Sequence, residues 1–328
     1  MREPYFWSAG LDPKSRDSAP LTRLLLTPAA WIYAAITHRR LRRTVPQRVD
    51  ARIICVGNIG VGGTGKSPVV AYLRTYIQAA TQDRVASLSR GYGGRLTGPL
   101  KVRPETHTAQ DVGDEPLMLA QLGESWIGAD RARAGLLMRE EGVKVIVMDD
   151  GHQNPGLAKD LSLIVVDSAR GFGNGYVIPK GPLREPIAEG LARADAVILM
   201  GTAEMPQALR TFERPIFRAE IKPVAPPPKL PLVAFAGIGR PEKFFDSLTQ
   251  AGGDVRDAVP FPDHHVFSAQ DLQYLRDLAS DHGASLITTE KDYVRLSADQ
   301  RSDMLSFPVE IQFENPDMLH QLIDQTLA

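Results

Sequence analysis

An α/β fold built around a phosphate-binding loop is what this sequence predicts, and three observations carry the prediction. Gly60, Val61, Gly62, Gly63, Thr64, Gly65, Lys66 and Ser67 spell out G-x-x-x-x-G-K-[ST]. The apolar run 53–56 leads into that loop and a helical stretch leaves it, the strand, turn and helix setting that the motif needs. Further on, continuous Val/Ile-rich runs alternate with helical stretches, which indicates strands buried on both faces of a parallel sheet.

Taken in chain order, the first element is N-terminal. Leu21, Leu24, Leu25, Trp31, Ile32, Ala35 and Ile36 recur near helical spacing, and the basic run 38–43 follows at once. The uninterrupted apolar run 29–36 is far short of the roughly 20 residues a spanning helix needs. Its charge lies mainly after the apolar part, unlike a signal peptide. Two readings remain: a helix lying on a membrane surface, or a helix packed on its own protein. Arg39, Arg40, Arg42 and Arg43, at about 1 kcal/mol each, give only roughly millimolar surface binding. Insertion of Trp31 and the leucines would have to supply the rest.

In the phosphate loop, glycines let successive N–H groups turn toward an anion, and the following helix adds its positive dipole end. Lys66 is then placed to reach the β- and γ-phosphates, and the Ser67 hydroxyl to ligate Mg²⁺. Pro68 falls in the first helical turn, where a missing N–H costs nothing. The competing reading is a plain glycine turn between strand and helix.

After a helix near 68–79, strands are expected at 85–88, 143–148, 161–166 and 196–200, with helices at 115–122, 131–141 and 187–193. Residues 223–231 hold five prolines, a stiff linker that cannot enter a central strand. Beyond it a second series reads strand 232–236, helix 241–251, strand 255–259, helix 269–282 and strand 285–288, then a strand near 309–313 and a helix near 316–327. The expected organisation is an N-terminal region at 1–45, a core domain at 46–222, the linker at 223–231, a smaller α/β domain at 232–307, and a returning strand with the C-terminal helix at 308–328.

Composition narrows the function classes. A chain of 328 residues with 43% hydrophobic and 23% charged content is globular, and a net charge of −1 argues against bulk nucleic-acid binding. Cys55 is the only cysteine, so no disulfide forms within the chain. A reducing, cytoplasm-facing location is the simpler reading.

Several polar motifs end these strands. Asp149-Asp150-Gly151-His152-Gln153 follows a strongly apolar strand, the position of an acid that holds Mg²⁺ below a phosphate loop; a solvated turn is the alternative. Asp114 opens a helix, either as an N-cap or as a base that takes a hydroxyl proton. Arg90-Gly91-Tyr92 and the Arg184 loop set arginines among Gly and Pro, suited to holding a phosphate or serving as surface turns. His264 and His265 precede a helix, and such a pair is usually structural.

Together these residues closely resemble the tetraacyldisaccharide 4′-kinase family. The likeness runs through Val56-Gly57-Asn58 with the phosphate loop, Ser89-Arg90-Gly91-Tyr92-Gly93-Gly94, Val112-Gly113-Asp114-Glu115-Pro116, residues 149–153, Gly181-Pro182-Leu183-Arg184-Glu185-Pro186, residues 236–239 with Pro241 and Phe244, residues 261–265 and Thr289-Glu290-Lys291-Asp292. The resemblance implies a P-loop kinase core, a smaller α/β domain on a two-stranded linker, and an N-terminal helix touching the inner membrane from its cytoplasmic face. It implies transfer of the γ-phosphate of ATP to the 4′-hydroxyl of an acylated glucosamine disaccharide 1-phosphate. Carried over by motif, Asp114 is the base paired with His264 across the interdomain cleft. Ser67, Asp149 and Glu185 lie near Mg²⁺, Arg184 lies near phosphate, and Arg90, Gly91 and Tyr92 face the substrate. The choices between His264 and His265 and between Asp149 and Asp150 stay open.

Two other functions compete. A soluble P-loop kinase acting on a small sugar or nucleoside would not need residues 21–43. A GTPase-like switch commonly reads guanine through [NT]-K-x-D, and Thr289-Glu290-Lys291-Asp292 places its lysine one position late.

Overall fold

The structure, a computed structural model, describes residues 4–8, 10 and 15–328. Two N-terminal helices come first, α1 (Pro20–Leu25) and α2 (Thr27–Arg43), and the segment Arg16–Leu25 that holds α1 is bent by 66° from α2. Then come β1 (Arg52–Gly57), α3 (Lys66–Thr81), β2 (Val85–Ser89), β3 (Leu100–Lys101), α4 (Ala109–Val112), α5 (Asp114–Gln121), β4 (Ser125–Ile127), α6 (Arg131–Glu140), β5 (Val145–Asp149), β6 (Leu161–Asp167), α7 (Ile187–Ala192), β7 (Ala196–Met200) and β8 (Ile216–Pro223).

Every residue of β2, β5, β6 and β7 is buried, as their unbroken apolar runs require. Alternate residues of β1 serve opposite faces. Ile54 and Val56 pack with Val69, Val70, Leu73 and Ile77 of α3, whereas Ile53 and Cys55 pack with Ala134 and Met138 of α6. Each such aliphatic side chain contributes about 1.5–3 kcal/mol on burial.

The first sheet has nine strands in the order β13-β8-β7-β6-β1-β5-β2-β4-β3, where β13 spans Val309–Phe313. Seven of them run parallel, the parallel core expected, and β3 and β13 pair antiparallel at the two edges. Neither β3, β4 nor β8 was expected. β3 and β4 are too short to show a period, and β8 alternates buried and half-exposed residues beside the edge.

β9 (Pro231–Ala236), α8 (Pro241–Gln250), β10 (Asp254–Pro260), α9 (Ala269–Asp281), β11 (Ser285–Thr289), α10 (Glu290–Tyr293) and β12 (Met304–Phe307) form a second unit, with a parallel sheet in the order β10-β9-β11-β12. β12 was not expected. Phe235, Leu272 and Leu275 pack on one face of this sheet, and Ala234, Phe244 and Leu248 on the other. The chain leaves the first sheet through β8 and returns through β13, with Pro223 opposite Val309, before α11 (Pro316–Leu327) closes on α3.

Among the described residues no single helix is long and apolar enough to cross a membrane. α2 docks by few polar contacts: His38 Nδ1 lies 2.7 Å from Glu189 Oε2, and Arg40 donates to the Gln153 carbonyl at 3.3 Å. Leu21, Leu24, Leu25, Trp31, Ile32 and Ile36 remain exposed, Leu25 at 79% and Trp31 at 72%, so the N-terminal stripe does not pack on its own protein.

Candidate active site

β1 lies between β5 and β6, so the phosphate loop opens at the carboxyl end of the sheet's centre, where ligands of such sheets gather. α3 begins at Lys66, with Gly65 capping it at φ 85°, a left-handed conformation that favours glycine. Pro68 stands third in that helix, inside the first turn as expected.

A second loop is stitched to this one. Val61 N donates to Pro182 O at 2.8 Å, and Arg184 N to Ile59 O at 2.8 Å. That pairing presents Arg184 to Asp150, whose two oxygens its Nη1 reaches at 2.9 and 2.8 Å. Lys66 Nζ lies 3.5 Å from the same carboxylate. Burial alone would raise the Asp150 pKa, but Lys66 and Arg184 outweigh it and hold Asp150 ionised.

Asp149 behaves differently. Its Oδ2 accepts from Ser67 Oγ at 3.4 Å, while its Oδ1 is buried with no protein partner. Burial, reinforced by the charge of Glu115, pushes its pKa up. An orphaned buried carboxylate oxygen beside a hydroxyl fits a hard cation that keeps several waters and takes one or two protein oxygens. Asp149, rather than Asp150, is therefore the better placed of the two for a metal. Among the described residues no group of three His, Cys, Asp or Glu side chains is arranged to hold a metal ion.

Glu185 makes no hydrogen bond to Ser67 or Asp149 among the described residues. Its Oε1 accepts from Gln153 Nε2 at 2.8 Å and its Oε2 from Arg193 Nη2 at 2.6 Å, with the side chain fully buried. Gln153 in turn accepts from Arg184 at 3.3 Å and donates to the Asn58 carbonyl at 2.7 Å. Glu185 thus braces the loop that carries Arg184. His152 lies beneath the sheet end, and burial drives its pKa down to about 3, so it stays neutral.

The second centre lies where the two units meet. Asp114 is the first residue of α5, not its N-cap; that position belongs to Gly113 at φ 90°. Asp114 is 5% exposed, and its Oδ2 receives His264 Nδ1 at 3.0 Å and Arg295 Nε at 3.0 Å, with Arg295 Nη2 on the same oxygen and Lys291 Nζ at 3.7 Å. Burial would raise the Asp114 pKa, yet the His264 hydrogen bond and the Lys291 and Arg295 charges hold it well below the usual carboxylate range. Its Oδ1 accepts only the Glu115 N–H, at 3.0 Å.

The structure separates the two histidines. His265 Nε2 lies 3.0 Å from Asp271 Oδ2, and its ring stacks on Phe261; it serves the cap of α9. His264, at φ 58°, faces the first domain, and Tyr92 meets its ring edge-on at 6.0 Å. Tyr92 is brought there because residues 89–94 lie against 111–113: a Cβ on Gly94 would come within 2.6 Å of the Val112 backbone. Gly91 is buried at φ 77°, and Arg90 is exposed at the end of β2.

Four contacts were not foreseen. Lys291 and Arg295 bind Asp114 from the segment after β11, and a further basic side chain in helical register with Asp292 was the available signal. Asp167 ends β6 and is held by Arg240 and by Lys243 at 2.8 Å. The rule that singled out Asp149, a carboxylate ending a buried strand, applies to Asp167 as well.

A family model described as LpxK, tetraacyldisaccharide-1-P 4′-kinase, matches residues 22–328. A tetraacyldisaccharide 4′-kinase of Hyphomonas neptunium is 58% identical over 315 residues, covering 96% of this chain and 95% of its own. One from Maricaulis maris is 50% identical, covering 98% and 96%. A crystal structure of LpxK from Aquifex aeolicus, described as an "apo" form in complex with ATP, superposes with a TM-score of 0.72 at 25% identity, covering 94% of this chain and 100% of that one. With the phosphate loop, the Asp149–Asp150 turn and the interdomain Asp114–His264 pair all in place, this chain belongs to the tetraacyldisaccharide-1-P 4′-kinase family.

Proposed function

We propose that this chain transfers the γ-phosphoryl group of ATP to the 4′-hydroxyl of a tetraacyldisaccharide 1-phosphate, a step of lipid A biosynthesis. The observation that carries this reading is the facing of two centres. A phosphate loop with Lys66 and Arg184 around Asp150 stands in one domain, and an Asp114–His264 pair is assembled from both.

Backbone N–H groups of residues 60–67 and the Lys66 ammonium hold the triphosphate. Phosphoryl transfer leaves little covalent chemistry to the protein, so positioning and charge dominate. Ser67 and Asp149 are the groups that would hold Mg²⁺, which would supply neutralisation of the phosphate charge. Asp114 then receives the proton of the acceptor hydroxyl as the oxygen bonds to phosphorus, and ADP leaves. His264, Lys291 and Arg295 fix that carboxylate at the cleft.

One observation favours a second assignment of the base. The hydrogen bond from His264 and the two charges of Lys291 and Arg295 that hold Asp114 ionised also make it a weak base, and His264 Nδ1 on Asp114 leaves Nε2 to accept a proton, the arrangement in which a carboxylate orients an imidazole. A pH profile tests the first assignment: with Asp114 as base, its carboxyl held well below the usual carboxylate range, kcat stays flat down to about pH 5, and an acid limb above that pH would contradict it.

The exposed apolar faces of α1 and α2, with the arginines at the end of α2, suit a helix lying in a lipid surface. The acyl chains of the acceptor stay in a bilayer, so an enzyme that reaches its sugar must come to that surface. The location that goes with this reading is the cytoplasmic face of the inner membrane, where ATP is at hand. Deleting residues 1–43 is expected to release it from liposomes while nucleotide binding persists; a truncated chain that still floats with liposomes would locate the contact elsewhere.

Incubation with ATP, Mg²⁺ and either tetraacyldisaccharide 1-phosphate or soluble glucosamine 1-phosphate tests the activity. Mass spectrometry is expected to find one added phosphate on the lipid alone. Equal transfer to the soluble sugar would favour a small-molecule kinase instead.

A further inference from the structure

The loop after β9 carries a contact that this mechanism does not use. Arg240 crosses from the second domain to the first, where its Nη2 donates to Asp167 Oδ2 and lies 3.4 Å from the Gly63 carbonyl in the phosphate loop. Asp167 ends β6, the immediate neighbour of β1. Lys243, in the first turn of α8, shares that carboxylate oxygen at 2.8 Å, and Arg170 lies near enough for the Arg240 charge, after burial, to depress its pKa. One buried carboxylate therefore gathers two basic side chains beside the loop that binds phosphate, with Arg170 nearby.

The same loop holds the other centre. Gly237 N donates to Asp292 Oδ2 at 3.1 Å, and the Gly237 carbonyl accepts from Arg295 Nη1 at 2.7 Å and from His264 N at 3.0 Å. A Cβ at Gly237 would sit 3.1 Å from both Asp292 Oδ1 and His265 Cβ, so the backbone there is closely confined. Residues 237–240 thus form a short crossbar whose one end fixes the partners of Asp114 and whose other end overhangs Gly63.

We propose that Arg240 is a further catalytic residue, a guanidinium supplied by the second domain to the γ-phosphate and held on Asp167 until nucleotide fills the loop. A triphosphate brings several negative charges beside Gly63, and its oxygens match the planar fork of a guanidinium better than a single carboxylate oxygen shared with a lysine does. Lys243 remains on Asp167 when Arg240 leaves, so the exchange strands no buried charge. Charge in the transition state spreads over three equatorial oxygens, and an arginine inserted there is worth about 10³–10⁵-fold in other P-loop enzymes. Lys66 is a point charge anchored beside Asp150 and does not supply that fork. Because the crossbar also carries the hydrogen bonds that fix His264 and Arg295, movement of Arg240 onto phosphate would register at the Asp114 centre.

The inference rests on the kinase reading, and its test separates the two. Dissociation constants are measured for ADP and for ADP with aluminium fluoride, a mimic of the transferring phosphoryl group, in magnesium buffer. The proteins are full-length wild type, Arg240→Gln, Arg240→Lys and Asp167→Asn. Arg240→Gln is expected to lose about 10²-fold in affinity for the mimic, with ADP binding close to wild type. Arg240→Lys should recover part of the loss, and Asp167→Asn should bind the mimic as tightly as wild type. Equal losses for ADP and the mimic, no loss at all, or a loss in Asp167→Asn that matches Arg240→Gln would overturn the proposal; the last would mean that Arg240 only clamps the domains together. ADP binding also reports a folded loop, and if Arg240→Gln fails to fold, Arg240→Lys decides by its ratio of mimic to ADP affinity. Failure of wild type to bind ADP would instead sink the kinase reading beneath it.

Discussion

Lys66→Ala is expected to abolish transfer in a routine assay, a loss of about 10³-fold in kcat, while the fold survives. Lys66 is the first residue of α3, so its ammonium is aimed from a fixed helix end at the space above the loop. It is 13% exposed and lies 3.5 Å from Asp150, more enclosed than a ligand-facing lysine need be. Its removal does not strand that carboxylate, because Arg184 still binds both Asp150 oxygens. Thermal melting should therefore change little. Near-normal turnover in a folded Lys66→Ala protein would remove the phosphate loop from the mechanism.

Asp114→Ala is expected to cut kcat by about 10²–10⁴-fold with little change in KM for ATP. The nucleotide-binding groups lie in residues 60–67, on a different loop from Asp114. His264 meets Asp114 at 3.0 Å from the other domain, so the two act as a unit, and the double variant should be scarcely worse than the more damaging single one. Multiplicative losses in the double-mutant cycle would show that they work independently. The alanine also removes one of the two carboxylates that pair Arg295, 8% exposed, leaving it Asp292. Breaking a buried ion pair from one side costs about 3–5 kcal/mol, and with Asp292 still in place stability should fall by less than that. Asp114→Asn keeps the shape and one of the two acceptor oxygens, and its kcat loss reports the missing charge with less of that structural damage.

The core fold was legible because its signals are local. An eight-residue loop, a strand before it and buried apolar runs after it leave little freedom in how the central sheet assembles. The edges were not legible. β3 has two residues, and β8 mixes Arg218, Glu220 and Lys222 into its alternation, so neither shows the period of a buried strand.

The site divides in the same way. Lys66, Ser67 and Asp149 follow from spacing and strand ends, whereas the Asp114–His264 pair, 150 positions apart, came from family resemblance alone. Glu185 shows how adjacent residues of one motif divide. Residues 182–185 run extended against the phosphate loop, and neighbours on an extended chain point to opposite sides, so Arg184 reaches Asp150 while Glu185 turns inward to Gln153 and Arg193. Arg295 and Arg240 lay outside the tested patterns because their partners are in the other domain, a pairing that only the folded chain brings together.

The most direct test of the central claim is the position of the transferred phosphate. With labelled γ-phosphate of ATP and tetraacyldisaccharide 1-phosphate in mixed micelles, fragmentation of the product should place one new phosphate on the 4′-oxygen, and the 4′-deoxy acceptor should gain none. Phosphate appearing on the 4′-deoxy acceptor, or at any other oxygen of the natural one, would contradict the account.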